Sequence, residues 1–298
     1  MFSDEELEKF RKAGKIAREA RDFAKSTVKA GQTLLSIGDE IEKLIESKGG
    51  KPAFPVNLSL NEVAAHYVPS SSDETVLKED DVLKADIGVH VEGFIADCAF
   101  SINPSGKHAD LTKSSEKALE SALRAMKAGV NVRGVGKAIQ DAVVADGFKP
   151  VRNLCGHALG EFLIHAGQEI PNVPTGDYVL KEGDVFAVEP FASTGEGVVR
   201  EGEFCQIYAL ANPSAQVRLP NSRKLLQFVV ENFKTLPFAQ RWLSRTGLPE
   251  SSISLALSDL CRQKVLRRYP LLRDVPGSFV SQAETSVVVT KEGVERLV

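Results

Sequence analysis

The chain has 298 residues, room for one large domain or two ordinary ones, and its 43% apolar and 26% charged residues exclude a disordered chain or a coiled coil. A net charge of −3, from 37 basic and 40 acidic residues, argues against a basic nucleic-acid binder. No apolar window of about 18 residues exists to cross a membrane.

The opening residues, Met1 to Glu6, are acidic and polar, unlike a secretory signal. Ser3 and Glu6 match a capping box, and Leu7, Phe10, Ala13, Ala17, Ala20 and Ala24 follow at helical spacing. A second helix is expected from Leu34 to Ser47, ended by Gly49-Gly50, and a strand-rich stretch from Val82 to Phe100. Ser115 to Ala128 and Val132 to Ala145 read as another helix pair. The cysteines, Cys98, Cys155, Cys205 and Cys261, form no C-x-x-C pair and read as reduced packing thiols of a cytoplasmic protein.

The helix pairs are related. Lys29-Ala30-Gly31 recurs as Lys127-Ala128-Gly129 at an offset of 98, which also pairs Gly38 with Gly136, Ile41 with Ile139 and Gly49 with Gly147. Lys78-Glu79-x-Asp81-Val82 returns as Lys181-Glu182-x-Asp184-Val185 at an offset of 103, which sets Asp86 on Glu189. The chain therefore reads as two diverged copies of a helix–helix–strand unit. The period is too long for a solenoid and suits two halves packed face to face around a shared sheet.

Residues 213–275 interrupt the second copy. They carry +7 against −10 for the remainder, and Ser222 to Asn232 and Ser251 to Arg267 read as amphipathic helices separated at Gly247-Leu248-Pro249. We read a helical insertion at 213–275 in a catalytic domain made of 1–212 and 276–298. Phe279 to Val289 then returns to strand-like sequence.

Asp86 and Asp97 lie on strand-like runs joined near Glu92-Gly93. In a hairpin with an even loop there, both carboxylates occupy one face, opposite or diagonal, and must share a proton or a cation. Glu189 and Glu284 sit in apolar strand contexts, and His157 is flanked by small residues. Each acid alone could be a solvated strand-face carboxylate, and each histidine a packing residue. Taken together, four carboxylates and one imidazole are too acidic for a single zinc and would balance two divalent cations able to activate a water. His66 and His165, at near-equivalent repeat positions, are left to bind or polarise a substrate carbonyl. His90 and His108 stand in turn-like, polar contexts.

Asp86, Asp97 eleven residues later, Gly156-His157, Glu189-Pro190 and Gln282-x-Glu284 resemble the five-ligand signature of the methionine aminopeptidase and prolidase superfamily. Ala53-Phe54-Pro55, Asn61, Ala64-Ala65-His66-Tyr67, Ile164-His165-Ala166-Gly167 and Leu236 to Leu243 are similar to the type II methionine aminopeptidase pattern, in an archaeal-like short form. The resemblance spans essentially the whole chain. It implies an α/β (α+β) duplicated pita-bread fold with pseudo-twofold symmetry and a helical insertion. It also implies removal of N-terminal methionine before a small second residue by two divalent ions (Co, Mn, Fe or Zn). Asp86 would chelate one ion, His157 and Glu189 the other, with Asp97 and Glu284 bridging. His66, His165 and Glu189 are the implied catalytic residues. His66 and His165 would also contact the substrate near the scissile bond, and Phe54, Ile207, Tyr269 and Leu272 would line the methionine pocket. Thr285 and Ile207 replace histidines usual in the family and are expected to change pocket polarity. The expected partners are nascent polypeptide N-termini and the ribosome, the latter through Arg262, Lys264, Arg267 and Arg268. A monomer is expected, with no membrane and no sequence-specific nucleic acid. Three alternatives compete: a prolidase or aminopeptidase P, a non-catalytic ribosome- or RNA-binding relative, and a structural metal-binding domain.

Overall fold

The computed structural model describes residues 2–298. Helix α1 (Asp4–Thr27) begins at the capping box, where Ser3 Oγ accepts from the Glu6 N–H at 3.3 Å and the Glu6 carboxylate accepts from the Ser3 N–H at 2.7 Å. Its buried stripe of Phe10, Ala13, Gly14, Ala17, Ala20 and Ala24 is almost all small side chains, so the helix lies close on a hairpin of strands Leu83–Val91 and Phe94–Ile102. Helix α2 is Leu34–Ser47; α3 and α4 are Ala109–Ala125 and Val132–Ala145. α3 thus starts before the expected Ser115 and stops short of Ala128, because Leu111, Ser114, Ser115 and Ala118 already form its buried face and Met126 is extended.

The duplication appears in backbone detail. Thr33 caps α2 and bridges Val76; Asn131 caps α4 and bridges Val179. The Gly31 N–H donates to Leu77 O as the Gly129 N–H donates to Leu180 O, both at 2.8 Å. Asp81 and Asp184 each accept from a lysine N–H three residues earlier. The first half forms a sheet of Lys51–Pro52, Leu83–Val91, Asn57–Leu60 and Phe94–Ile102. The second forms a five-stranded sheet in the order Val294–Arg296, Thr285–Val289, Val185–Val188, Cys155–Ala158, Glu169–Pro171. The sheets meet where Ala99 and Glu284 exchange backbone hydrogen bonds of 3.4 and 2.9 Å. Two like halves of this kind make the expected pita-bread arrangement.

Within 213–275, helices α5 (Pro220–Asn232) and α6 (Glu250–Arg262) enclose a separate core around Leu225, Phe238, Leu243 and Leu260. The expected helix from Ser251 to Arg267 ends early: Lys264 is left-handed (φ 56°), and Leu266–Tyr269 pairs with Ile207–Leu210 as a strand. Leu266 is buried while Arg267 and Arg268 are exposed. This part is tied to α2 by Glu42, which accepts from the Arg241 guanidinium, from Trp242 Nε1 (2.9 Å) and from the Val56 N–H (3.2 Å). His90 lies in a strand rather than a turn, buried, with its Nδ1 accepting from the Gly93 N–H at 3.1 Å.

Candidate metal centre

Register places the two aspartates. The hairpin turns at Glu92 (φ 54°) and Gly93 (φ 97°), so Val91 faces Phe94, Gly88 faces Asp97 and Asp86 faces Ala99. Asp86 and Asp97 are therefore diagonal neighbours on one face. A Cβ at Gly88 would lie 2.2 Å from the Phe54 ring, so the glycine opposite Asp97 makes room for that ring at the cavity wall.

The second half supplies the other three groups. His157 is on Cys155–Ala158, against Val185–Val188, after which Glu189 emerges. A Cβ at Gly156 would lie 2.4 Å from Ala187 O, so only glycine allows this close strand approach before His157. Glu284 sits at the seam beside Ala99, and Ser286 Oγ accepts from the Asp97 N–H at 2.7 Å. One donor atom each from Asp97, His157 and Glu284 lies within 4.8 Å of the others. His157 Nε2 is 3.7 Å from Asp97 Oδ2 and 3.8 Å from Glu189 Oε1. Gln282 Nε2 donates to Glu189 Oε2 (3.1 Å) and Glu284 Oε2 (3.3 Å), holding the two glutamates side by side.

Four carboxylates face one another with no lysine or arginine among the described residues lining their cavity. Burial pushes Asp86 up to about 7, and burial followed by mutual repulsion pushes Asp97, Glu189 and Glu284 well above the usual carboxylate range. Asp86 Oδ1, Asp97 Oδ1 and His157 Nδ1 are buried without a hydrogen-bond partner among the described residues. Burial, then His165, pushes His157 down to about 3, so its contacts with the carboxylates are those of a neutral imidazole, the form that ligates metals. Orphaned oxygens, uncompensated negative charge and a neutral imidazole fit hard divalent cations.

All eleven candidate residues line one cavity of about 320 Å³: Asp86, Asp97, His157, Glu189, Glu284, His66, His165, Phe54, Ile207, Tyr269 and Leu272. His66 is left-handed (φ 67°), and its Nδ1 lies 3.1 Å from Pro270 O; a carbonyl only accepts, so this nitrogen carries the proton and Nε2 is an acceptor. Burial lowers its pKa. His165, open to solvent on one side, packs its ring 4.5 Å from that of His157 and is pushed down to about 4 by desolvation, then by His66 and Arg267. Tyr269 lies between the histidines, 5.6 Å from His66 and 6.2 Å from His165. Of the two family departures, Ile207 is in the cavity wall, whereas Thr285 donates to Val298 O at 2.8 Å and does not line the cavity. The Thr285 departure therefore bears on packing, not pocket polarity. Sequence reasoning missed Asn57, Asn153 and Cys155 as lining residues, and Gln282 as the clasp between glutamates, although Gln282 stands in the quoted motif.

The sequence profile of metallopeptidase family M24 matches residues 8–218. The chain is 46% identical to a methionine aminopeptidase of Pyrococcus horikoshii over 97% of this chain and 98% of that one. It is 44% identical to that of Archaeoglobus fulgidus over 98% of each. Among solved structures, a thermophilic Arx1 superposes with a TM-score of 0.89 at 21% identity, covering 100% of this chain and 91% of the other, a likeness of fold.

Proposed function

The chain belongs to metallopeptidase family M24, and from that premise we infer that it removes the N-terminal methionine of proteins and peptides by metal-dependent hydrolysis. One observation carries the reading: a hard, anionic ligand set opens directly onto a small cavity walled by Phe54, Ile207 and Leu272. An unbranched thioether fits such a slot, and lysine or glutamate side chains do not. A prolidase shares the ligands, but the near-full-length likeness is to methionine aminopeptidases.

In this proposal Asp86, Asp97, His157, Glu189 and Glu284 would hold two divalent ions, with Asp86 serving one and His157 and Glu189 the other. Such ions, when bound, polarise the scissile carbonyl and make water acidic. Co, Mn, Fe and Zn all suit the donor set. His66 presents its Nε2 lone pair to a substrate N–H, and His165 contacts the substrate beside the scissile bond. Glu189 takes a proton from the attacking water and returns it to the leaving amine. Gln282 holds Glu189 in place for that transfer. We further propose a preference for a small second residue.

We place the enzyme in the cytoplasm as a monomer acting on nascent chains. Residues 213–275 carry the excess positive charge, with Arg262, Lys264, Arg267 and Arg268 exposed. We propose that these four also touch ribosomal RNA. Cosedimentation with ribosomes at low salt should be lost on changing all four to serine; equal pelleting leaves this face as a cavity wall only.

The test of the main reading is a peptide series. Met-Gly-Met and Met-Ala-Met should lose methionine rapidly, and Met-Phe-Met, Lys-Gly-Met and Glu-Gly-Met slowly. Comparable rates across the series would refute the assignment.

A further inference from the structure

His165 reaches the cavity from a loop that burial alone does not hold. His165 itself is exposed, as are Leu163 before it and Gly167 and Gln168 after it. The loop leaves the strand of His157 at Ala158, and the Ala166 N–H donates back to Ala158 O at 2.8 Å. At its outer end Gly160 and Leu163 exchange backbone hydrogen bonds of 2.9 and 3.2 Å. Phe162 stands at the tip and is left-handed (φ 52°). A bulky aromatic residue in that conformation is costly and persists only where its surroundings over-determine it. Here the hairpin and the insertion both do so. On the hairpin turn, Gly93 O accepts from the Phe162 N–H at 2.7 Å. A Cβ on Gly93 would lie 2.3 Å from the Phe162 ring, so only glycine lets the ring lie on the turn. His90, on the same hairpin, meets the ring edge-on with centroids 5.6 Å apart. From the insertion, the Thr235 hydroxyl donates to Phe162 O, and Lys234 Nζ lies 3.6 Å from the ring centroid.

Phe162 does not line the cavity, whereas Ile164 and His165, two and three residues on, do. The clasp therefore acts on the cavity through the loop. Its tip is tied to the hairpin that carries Asp86 and Asp97 and to the insertion, and its stem to the strand of His157. Between these ties the His165 ring stands 4.5 Å from that of His157 and 6.2 Å from that of Tyr269. We propose that Phe162 is a positioning residue, clasped between the hairpin and the insertion so that its loop holds His165 beside the scissile bond. The insertion then contributes to turnover through Lys234 and Thr235, apart from walling the cavity. A group displaced by about 1 Å from a reacting bond can cost about a hundredfold in rate, so a loosened clasp is felt in kcat. This rests on the aminopeptidase reading above, in which His165 contacts the substrate.

The experiment is a kinetic cycle on Mn-loaded protein with Met-Gly-Met as substrate. Phe162→Ala removes the ring and leaves the backbone bonds, and Phe162→Tyr keeps the ring. Thr235→Val removes one hydroxyl at an exposed position and is the variant least demanding on folding. Phe162→Ala should lower kcat about tenfold and Thr235→Val about threefold. Mn content and the affinity for free methionine should stay within twofold of wild type, and Phe162→Tyr should restore kcat to within twofold. Phe162→Ala and Thr235→Val are then repeated on His165→Ala, whose residual turnover is followed at high enzyme concentration. If Phe162 acts through His165, each should slow that protein less than twofold, because two changes in one chain of action do not add. Full losses in the His165→Ala background, or wild-type kcat in both single variants, overturn the proposal. So does a parallel loss of Mn content and methionine affinity, which marks general loosening rather than positioning. Failure of the wild type to release methionine overturns the aminopeptidase reading instead. Release by wild type with additive losses in the cycle removes Phe162 alone.

Discussion

Among single residues, Glu189 and His157 separate chemistry from packing most cleanly. Both end in the cavity, and among the described residues the Glu189 carboxylate accepts a hydrogen bond from Gln282 alone and contacts His157 at 3.8 Å. Glu189→Ala and His157→Ala should each abolish turnover while leaving a folded chain. Calorimetric titration should show about two divalent ions per wild-type chain and a weakened or lost second site in each variant. Near-wild-type activity in either purified variant would contradict the dinuclear assignment. The placement of Asp86 and Asp97 was legible in the sequence because hairpin parity depends only on a local loop length. The place of Asn57 in the cavity wall was not legible, since it comes from a cross-strand register with Asp86 that no local pattern reports. The same holds for the Thr285 side chain, whose direction depends on a contact with Val298.

For the elements, internal repetition made both helix pairs readable, and α2 and α4 fall on their expected bounds, whereas the expected shared sheet is two sheets that meet at the Ala99–Glu284 bridge. The last part of the expected Ser251–Arg267 helix was misread because a short run with buried Leu266 and exposed arginines is compatible with either period. Pairing with Ile207–Leu210 decides it. The contact between α2 and the inserted helices was invisible in sequence. Glu42 accepts two hydrogen bonds across that contact, from Arg241 and Trp242, and a third from the Val56 N–H, although burial raises its pKa above the ordinary value. Glu42→Leu would leave the Arg241 guanidinium and the Trp242 indole N–H buried without their acceptor. Breaking a buried pair in this way costs about 3 kcal/mol. Denaturant unfolding should show a loss of that order, with α5 and α6 the first elements to lose protection in hydrogen exchange. A change below about 0.5 kcal/mol, the size of an ordinary surface substitution, would show that Glu42 is not the anchor.

On the scale of the whole molecule, the acidic centre links stability to pH and metal. Without metal, Asp86 is raised to about 7 and Asp97, Glu189 and Glu284 stand well above ordinary carboxylates, so the folded state keeps protons that the unfolded chain has released. That stabilisation is complete below the unfolded carboxylate values near 4 and is lost as pH rises through the folded values. His157 and His165, pushed down to about 3 and 4, act in the opposite sense and only below the unfolded imidazole value of about 6.5. Above about pH 6.5 four raised carboxylates are opposed by one buried cation, Lys84, whose pKa burial lowers well below the ordinary lysine value. The melting temperature of metal-free protein should fall between about pH 6.5 and 8.5, and added Mn should remove most of that fall. A flat metal-free curve would contradict the raised carboxylates.

The central claim is that this carboxylate cluster and its apolar slot make a metal-dependent enzyme for N-terminal methionine. The most direct measurement is the rate of methionine release from Met-Gly-Met by chelator-treated protein, before and after addition of Co, Mn, Fe or Zn, with Gly-Pro as the competing substrate. The account predicts negligible release without metal, restoration by at least one of the four, and little cleavage of Gly-Pro under the same conditions. Release unaffected by thorough metal removal, or Gly-Pro cleaved as fast as Met-Gly-Met, would contradict it.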